Sequence, residues 1–174
     1  FGIGDIQKLL QIIEQSTESY QRNGNSAALD DVVEAYERIL SLLNLLAVDQ
    51  AIIAAGRNDA GSWYLRRYWA RRDLPDLDRA LEHFHQAVAA MPKDHPDLAM
   101  SLSNLGTGLS NRFERTGCTE DLEEAITVYR QAIEVTPPGH PNLAGYLTNF
   151  GNGLIIRFER TGRTEDLEEA ITVC

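Results

Sequence analysis

The stretch NRFERTGCTEDLEEAITVY at 111–129 returns almost unchanged as IRFERTGRTEDLEEAITVC at 156–174, 45 residues later. A fixed internal period constrains a fold more tightly than composition does. Each copy must be one small supersecondary unit, and neighbouring copies must cover one another's apolar faces. The register runs back through the chain. Gly151 steps to Gly106 and Gly61, Arg157 to Arg112, Arg67 and Arg22, and Ala170 to Ala125, Ala80 and Ala35. His140-Pro141 steps to His95-Pro96. This spacing predicts one array over 1–174: a divergent unit at 1–50, full units at 51–95 and 96–140, and an incomplete one at 141–174.

Each unit reads as two helices. Pro96 suits a first helical position, and Leu98, Leu102, Leu105, Leu109 and Phe113 then recur at helical spacing. Gly117 supplies a left-handed stop. Thr119 is placed to cap the next helix, with Glu120, Asp121, Glu123 and Glu124 near its positive end. Leu122, Ala125, Ile126, Tyr129 and Ile133 form its apolar stripe, and TPPGHP at 136–141 stops it. Earlier, NG at 23–24 and Asp49 mark breaks. No segment keeps the two-residue alternation of a half-buried strand, so the fold is all-α. Gly61, Gly106 and Gly151 lie inside helices, where glycine costs about 1 kcal/mol relative to alanine. Close helix approach accounts for them, because burying one Leu or Phe beside such a contact contributes about 1.5–3 kcal/mol.

Leu105, Gly106 and Leu109, followed by Ala125, Tyr129, Ala132 and Pro137, resemble the tetratricopeptide repeat, as do Ala80, Phe84, Ala87 and Pro92. The family's ordinary period is 34 residues. The longer unit here, with its RFERTG and EDLEEAI phrases, resembles arrays of fungal and bacterial signalling proteins. Those arrays precede a caspase-like (CHAT) protease domain or follow a nucleotide-binding domain. The resemblance implies a right-handed superhelical solenoid of antiparallel helix pairs, whose inner wall holds a peptide or a partner protein. On that wall it implies exposed candidates at Asn58, Ser62, Asn104, Thr107, Asn149 and Asn152, with Arg66 beside them. Asn104 and Asn149 stand where family members use an amide, which both donates and accepts, to hold a peptide backbone. The basic clamp that some members close on a terminal carboxylate is absent, since Asn58, Met100 and Gly145 occupy three of its places.

Charge and chemistry narrow the function classes. The formal net charge of −10 disfavours general nucleic-acid binding and favours basic partners. SWYLRRYWARRD at 62–73 interleaves arginines with aromatics and is the one RNA-like stretch. As an amphipathic helix it would turn its rings inward and pair its arginines with acids such as Asp73, Asp76 and Asp78. The Arg22, Arg67, Arg112 and Arg157 series predicts a ladder of salt bridges to the EDLEE carboxylates and to Glu114 and Glu159. GTG at 106–108 and GNG at 151–153 follow no strand and precede no Lys-Ser/Thr, so they are packing glycines rather than a nucleotide loop. His83 and His85 point to different sides of a helix, and His95 and His140 belong to turns. Cys118 has no histidine base beside it, and with Cys174 it gives no disulfide framework. No enzyme, cofactor or metal site is expected. ILSLLNLLAV at 39–48 is too short to span a bilayer, and FGIGDIQKLL shows no signal-peptide pattern, so a cytoplasmic location is expected. The repeat register leads one to expect the last helix to be incomplete at Cys174. Leu154, Phe158, Leu167, Ile171 and Val173 would then present an apolar face for self-association.

Overall fold

The computed structural model describes residues 3–173; Phe1, Gly2 and Cys174 lie outside them. The described residues form eight helices and no strand, in two compact units, Phe1–Met91 and Pro92–Cys174. The first unit holds α1 (Ile3–Asn23), α2 (Ala28–Leu45), α3 (Gln50–Arg71) and α4 (Leu74–Ala90). The second holds α5 (Leu98–Thr116), α6 (Thr119–Glu134), α7 (Leu143–Thr161) and α8 (Thr164–Val173). Helices pair in sequence order, α1 on α2, α3 on α4, α5 on α6 and α7 on α8. Within the units, α3 also packs on α2, and α7 packs on α6 and touches α5.

Local chemistry sets most of the breaks. Asp49 Oδ1 accepts the Ala51 N–H at 2.7 Å and caps α3. Gly117 and Gly162 end α5 and α7 with φ of 73° and 71°, each donating its N–H to a phenylalanine carbonyl four residues back at 2.7 Å. Arg72 ends α3 with the same left-handed backbone, at φ 62°. Two expected starts move. Pro96 lies in the turn before α5, because His95 Nδ1 accepts the Asp97 N–H at 3.1 Å and closes that turn first. Thr119 is the first residue of α6 rather than its cap; its hydroxyl donates to Glu120 instead.

Buried apolar stripes hold each unit together. In the first, Leu29, Val32, Leu77, Ala80, Leu81 and Phe84 are almost wholly enclosed. In the second, Leu105, Leu109, Ala125, Ile126, Ala132 and Leu154 are. Two helix-interior glycines, Gly61 and Gly106, sit where rings press close. A Cβ at Gly61 would stand 2.7 Å from the Phe84 ring, and one at Gly106 would stand 2.5 Å from that of Tyr129.

The hairpins α3–α4, α5–α6 and α7–α8 are also each fastened by an arginine. Arg67 reaches Asp76, Arg112 reaches Asp121 and Arg157 reaches Asp166, each through a two-pronged guanidinium–carboxylate pair. Two of these arginines reach further, Arg67 to Asp30 of α2 and Arg157 to Glu123 of α6. They therefore tie three helices. The expected ladder is corrected at two points. Arg22 pairs with Glu18 one turn back on α1 rather than across to α2. The two-pronged partners elsewhere are Asp76, Asp121 and Asp166 of the second helices, not Glu114 or Glu159, because a two-pronged guanidinium needs a carboxylate facing it across the hairpin.

Two candidate placements are also corrected. Asn58 is 3% exposed, because it lies on the same stripe of α3 as the buried Ala54, Gly61 and Leu65. Leu154 is 0% exposed, because it continues the stripe of Tyr146 and Phe150 into the core. Of the other residues expected on an apolar face, Ile171 is 72% exposed, and Phe158, Leu167 and Val173 are half-buried.

Candidate functional site

On α5, Ser103, Thr107, Ser110 and Glu114 fall on one face at spacings of four, three and four residues. On α7, Asn149, Asn152, Gly153 and Ile156 also share one face, at spacings of three, one and three residues. Gly153 lets Ile126 of α6 approach: a Cβ there would stand 3.1 Å from Ile126 Cγ1. Between these two faces lies a groove of about 320 Å³, lined by Ser110, Glu114, Tyr129, Asn149, Asn152, Gly153, Ile155 and Ile156.

Tyr129 rises from α6 past Gly106, and its hydroxyl comes within 3.4 Å of both Thr107 Oγ1 and Ser110 Oγ. Burial chiefly raises the phenol above its ordinary pKa, and the nearby Glu114 carboxylate adds to this. The hydroxyl is therefore a neutral donor at the groove wall. Asn149 Nδ2 donates to Ser103 Oγ at 3.3 Å, which orients its amide, while Asn152 is exposed on the same helix. The groove thus offers hydroxyls and amides in a row, a carboxylate at Glu114 and an aliphatic floor at Ile155 and Ile156.

Of the expected site residues, Asn149 and Asn152 line this groove and Thr107 borders it through Tyr129. Asn104 is half-buried on α5, one position off the Ser103 face. Asn58, Ser62 and Arg66 belong to the first unit. Ser62 donates to the Asn58 carbonyl at 2.9 Å, and exposed Arg66 lies 5.0 Å over the Trp63 ring. Ser110, Glu114, Tyr129, Ile155 and Ile156 were not anticipated. Counting three and seven residues on from Thr107 would have found Ser110 and Glu114.

The arginine-rich stretch is largely committed internally. Arg67 pairs with Asp76 and Asp30, and Arg71 reaches Asp30 and the Ser26 carbonyl at 2.7 Å each. Arg72 lies 5.8 Å over the Tyr68 ring. Its aromatics divide: Tyr64 and Tyr68 are buried, whereas Trp69 is 45% exposed.

The first unit has its own polar cluster. Glu37 of α2 accepts from Tyr64 Oη at 2.9 Å, from Arg79 and from His83 Nε2 at 3.1 Å. Burial opposes ionisation of Glu37, but the hydrogen bonds from Arg79, His83 and Tyr64 outweigh it and hold the carboxyl below its ordinary value. The cluster joins α2, α3 and α4, and it is read as structural. A larger cleft of about 560 Å³ runs between α1 and α2, walled by Leu9, Ile12, Leu42 and Leu45. It lacks the row of amides and hydroxyls found between α5 and α7. Among the described residues no cluster of His, Cys, Asp or Glu is arranged to hold a metal ion, and no helix is long and apolar enough to cross a membrane.

Residues 98–142, which include α5, α6 and the Glu114 end of the groove, match the family model described as Tetratricopeptide repeat. No curated protein matches this sequence. Among solved structures, the chain is similar to a Podosopora anserina protein assigned as a kinesin light chain with nearly identical TPR-like repeats. The TM-score is 0.65 at 18% identity, covering 97% of this chain and 75% of that one. It is similar also to BtubC (BKLC) from P. vanneervenii, with a TM-score of 0.64 at 16% identity, covering 88% of this chain and 58% of that one. At these identities the likeness is one of fold. Residues 98–142 thus carry a tetratricopeptide repeat, and the described helices share the fold of TPR-like repeat proteins.

Proposed function

We propose that this chain is a protein-interaction scaffold and that the groove between α5 and α7 holds an extended peptide segment of its partner. One observation carries this reading: the amides of Asn149 and Asn152 and the hydroxyls of Ser110 and Tyr129 line the same groove between successive first helices. Amides and hydroxyls both donate and accept, so they match the alternating N–H and C=O groups of an extended chain. Tetratricopeptide repeats in general mediate protein–protein contact, which supports the same reading. The scaffold would serve as a regulatory segment of a larger cytoplasmic signalling protein, in line with the arrays its long repeats resemble. The experiment is selection of displayed random peptides on the whole chain, followed by titration against wild type and the Asn149→Ala, Asn152→Ala double variant. Affinity should fall about tenfold, the loss of one or two hydrogen bonds. Equal affinity for the two proteins would place the binding surface elsewhere.

A second reading is self-association through α8, favoured by Ile171 at 72% exposure beside half-buried Leu167 and Val173. Sedimentation velocity tests it. Concentration-dependent assembly that Ile171→Glu abolishes would support it, and a monomer at all concentrations would exclude it.

A further inference from the structure

We infer that the α5–α7 groove selects a segment that places a lysine or arginine side chain against Glu114; this rests on the groove being the binding surface proposed above. Glu114 is the one charged side chain among the residues lining the groove. It is exposed, and it forms no ion pair among the described residues. The arginines two residues before it and at the equivalent place on α7 are committed elsewhere, Arg112 to Asp121 and Arg157 to Asp166 and Glu123. Arg160 of α7 comes near this turn too, but it lies 4.8 Å over the Phe113 ring and forms no ion pair with Glu114. The groove therefore keeps an anion without an ion-pair partner among the described residues.

The surroundings suit a long basic side chain rather than a bare cation. Ile155 is 37% exposed and, with Ile156, offers an aliphatic surface for the methylene stem. Beyond it, Glu114 receives the charged head, and the Ser110 and Tyr129 oxygens can accept its remaining N–H groups. Asn149 and Asn152 are left for the backbone. An acidic segment would instead set a carboxylate against Glu114, in a chain whose net charge of −10 adds to the repulsion.

The test uses fluorescence anisotropy on the whole chain with three labelled extended peptides, alternating Lys–Ala, Gln–Ala and Glu–Ala. The proteins are wild type, Glu114→Gln, Glu134→Gln and Asn152→Ala. Glu134→Gln makes the same charge change at the far end of α6. The Lys–Ala peptide should bind about tenfold tighter than Gln–Ala, as one charge-assisted contact implies, with Glu–Ala weakest. Glu114→Gln should erase that preference, and Glu134→Gln should retain it. An equal loss in both variants would mean diffuse attraction to an acidic protein and would overturn the inference. Equal binding of all three peptides, weakened by Asn152→Ala, would overturn it while leaving the groove reading standing. If none of the peptides bound, the groove reading would fail and the inference with it.

Discussion

The Tyr129 ring lies so close to Gly106 that a Cβ there would stand 2.5 Å from the ring edge. Helix propensity alone would reward Gly106→Ala by about 1 kcal/mol. Here the ring must move out of a packed core, at a cost of about 1–3 kcal/mol, and its hydroxyl must leave Ser110 and Thr107. The expected result is a net loss of stability in urea unfolding, together with weaker peptide binding. A Gly106→Ala protein as stable as wild type would show that close approach does not explain the glycine.

Asp166 is buried against Arg157, whose guanidinium also reaches Glu123. The hydrogen bonds from Arg157 hold the Asp166 carboxyl below its ordinary pKa, against the opposing effect of burial. Asp166→Ala leaves a largely enclosed guanidinium with one partner, that partner half-exposed. The expected cost is about 1–3 kcal/mol. Glu123→Gln should cost less than about 1 kcal/mol, because its charge stays in water. Chemical denaturation of both variants measures the ratio, and equal losses would contradict the assigned difference in burial.

Arg72 occupies the position at which the equivalent hairpins have Gly117 and Gly162, and it adopts the same left-handed backbone. A side chain at positive φ costs about 1 kcal/mol relative to glycine. The ring contact with Tyr68 offsets part of this, about 0.5 kcal/mol at an exposed site. Arg72→Gly should therefore raise the melting temperature of the chain slightly. A fall would show that the arginine–tyrosine contact outweighs the strain.

Hairpins were legible in the sequence because periodic apolar residues, glycine stops and the Asp49 cap act locally. Gly61 and Gly106 were legible as packing glycines for the same reason: an unfavourable residue inside a helix implies a compensating contact. What sequence could not fix was which face of each helix its neighbours would cover. Asn58 and Leu154 differ from their expected exposure on that account, since burial depends on the packing of adjacent helices. The recurrent arginines were visible as a series, but their partners follow from hairpin geometry, which brings residues nine apart into contact. The groove is legible only in part, because Tyr129 reads as core and yet its hydroxyl emerges between α5 and α7.

The His83 ring is 2% exposed, stacked on Tyr64 with centroids 5.5 Å apart. Nε2 faces Glu37, and Nδ1 is buried without a hydrogen-bond partner. Burial is the main cause of its lowered pKa; Glu37 opposes that shift, while Arg79 and Arg57 add to it. A protonated ring would have to bury an unsatisfied N–H, so the folded state binds its proton more weakly than the unfolded chain does. Stability from this group is thus fully present above an ordinary histidine's pKa of about 6.5, and it falls as pH drops from there toward the folded value. The Glu37 carboxyl, also held low, adds its own loss only at more acidic pH. Urea unfolding at closely spaced pH values should show stability declining below about pH 6.5. His83→Gln has no titrating proton and should flatten that decline while leaving the more acidic loss in place. An unchanged pH profile in His83→Gln would show that His83 does not account for the decline.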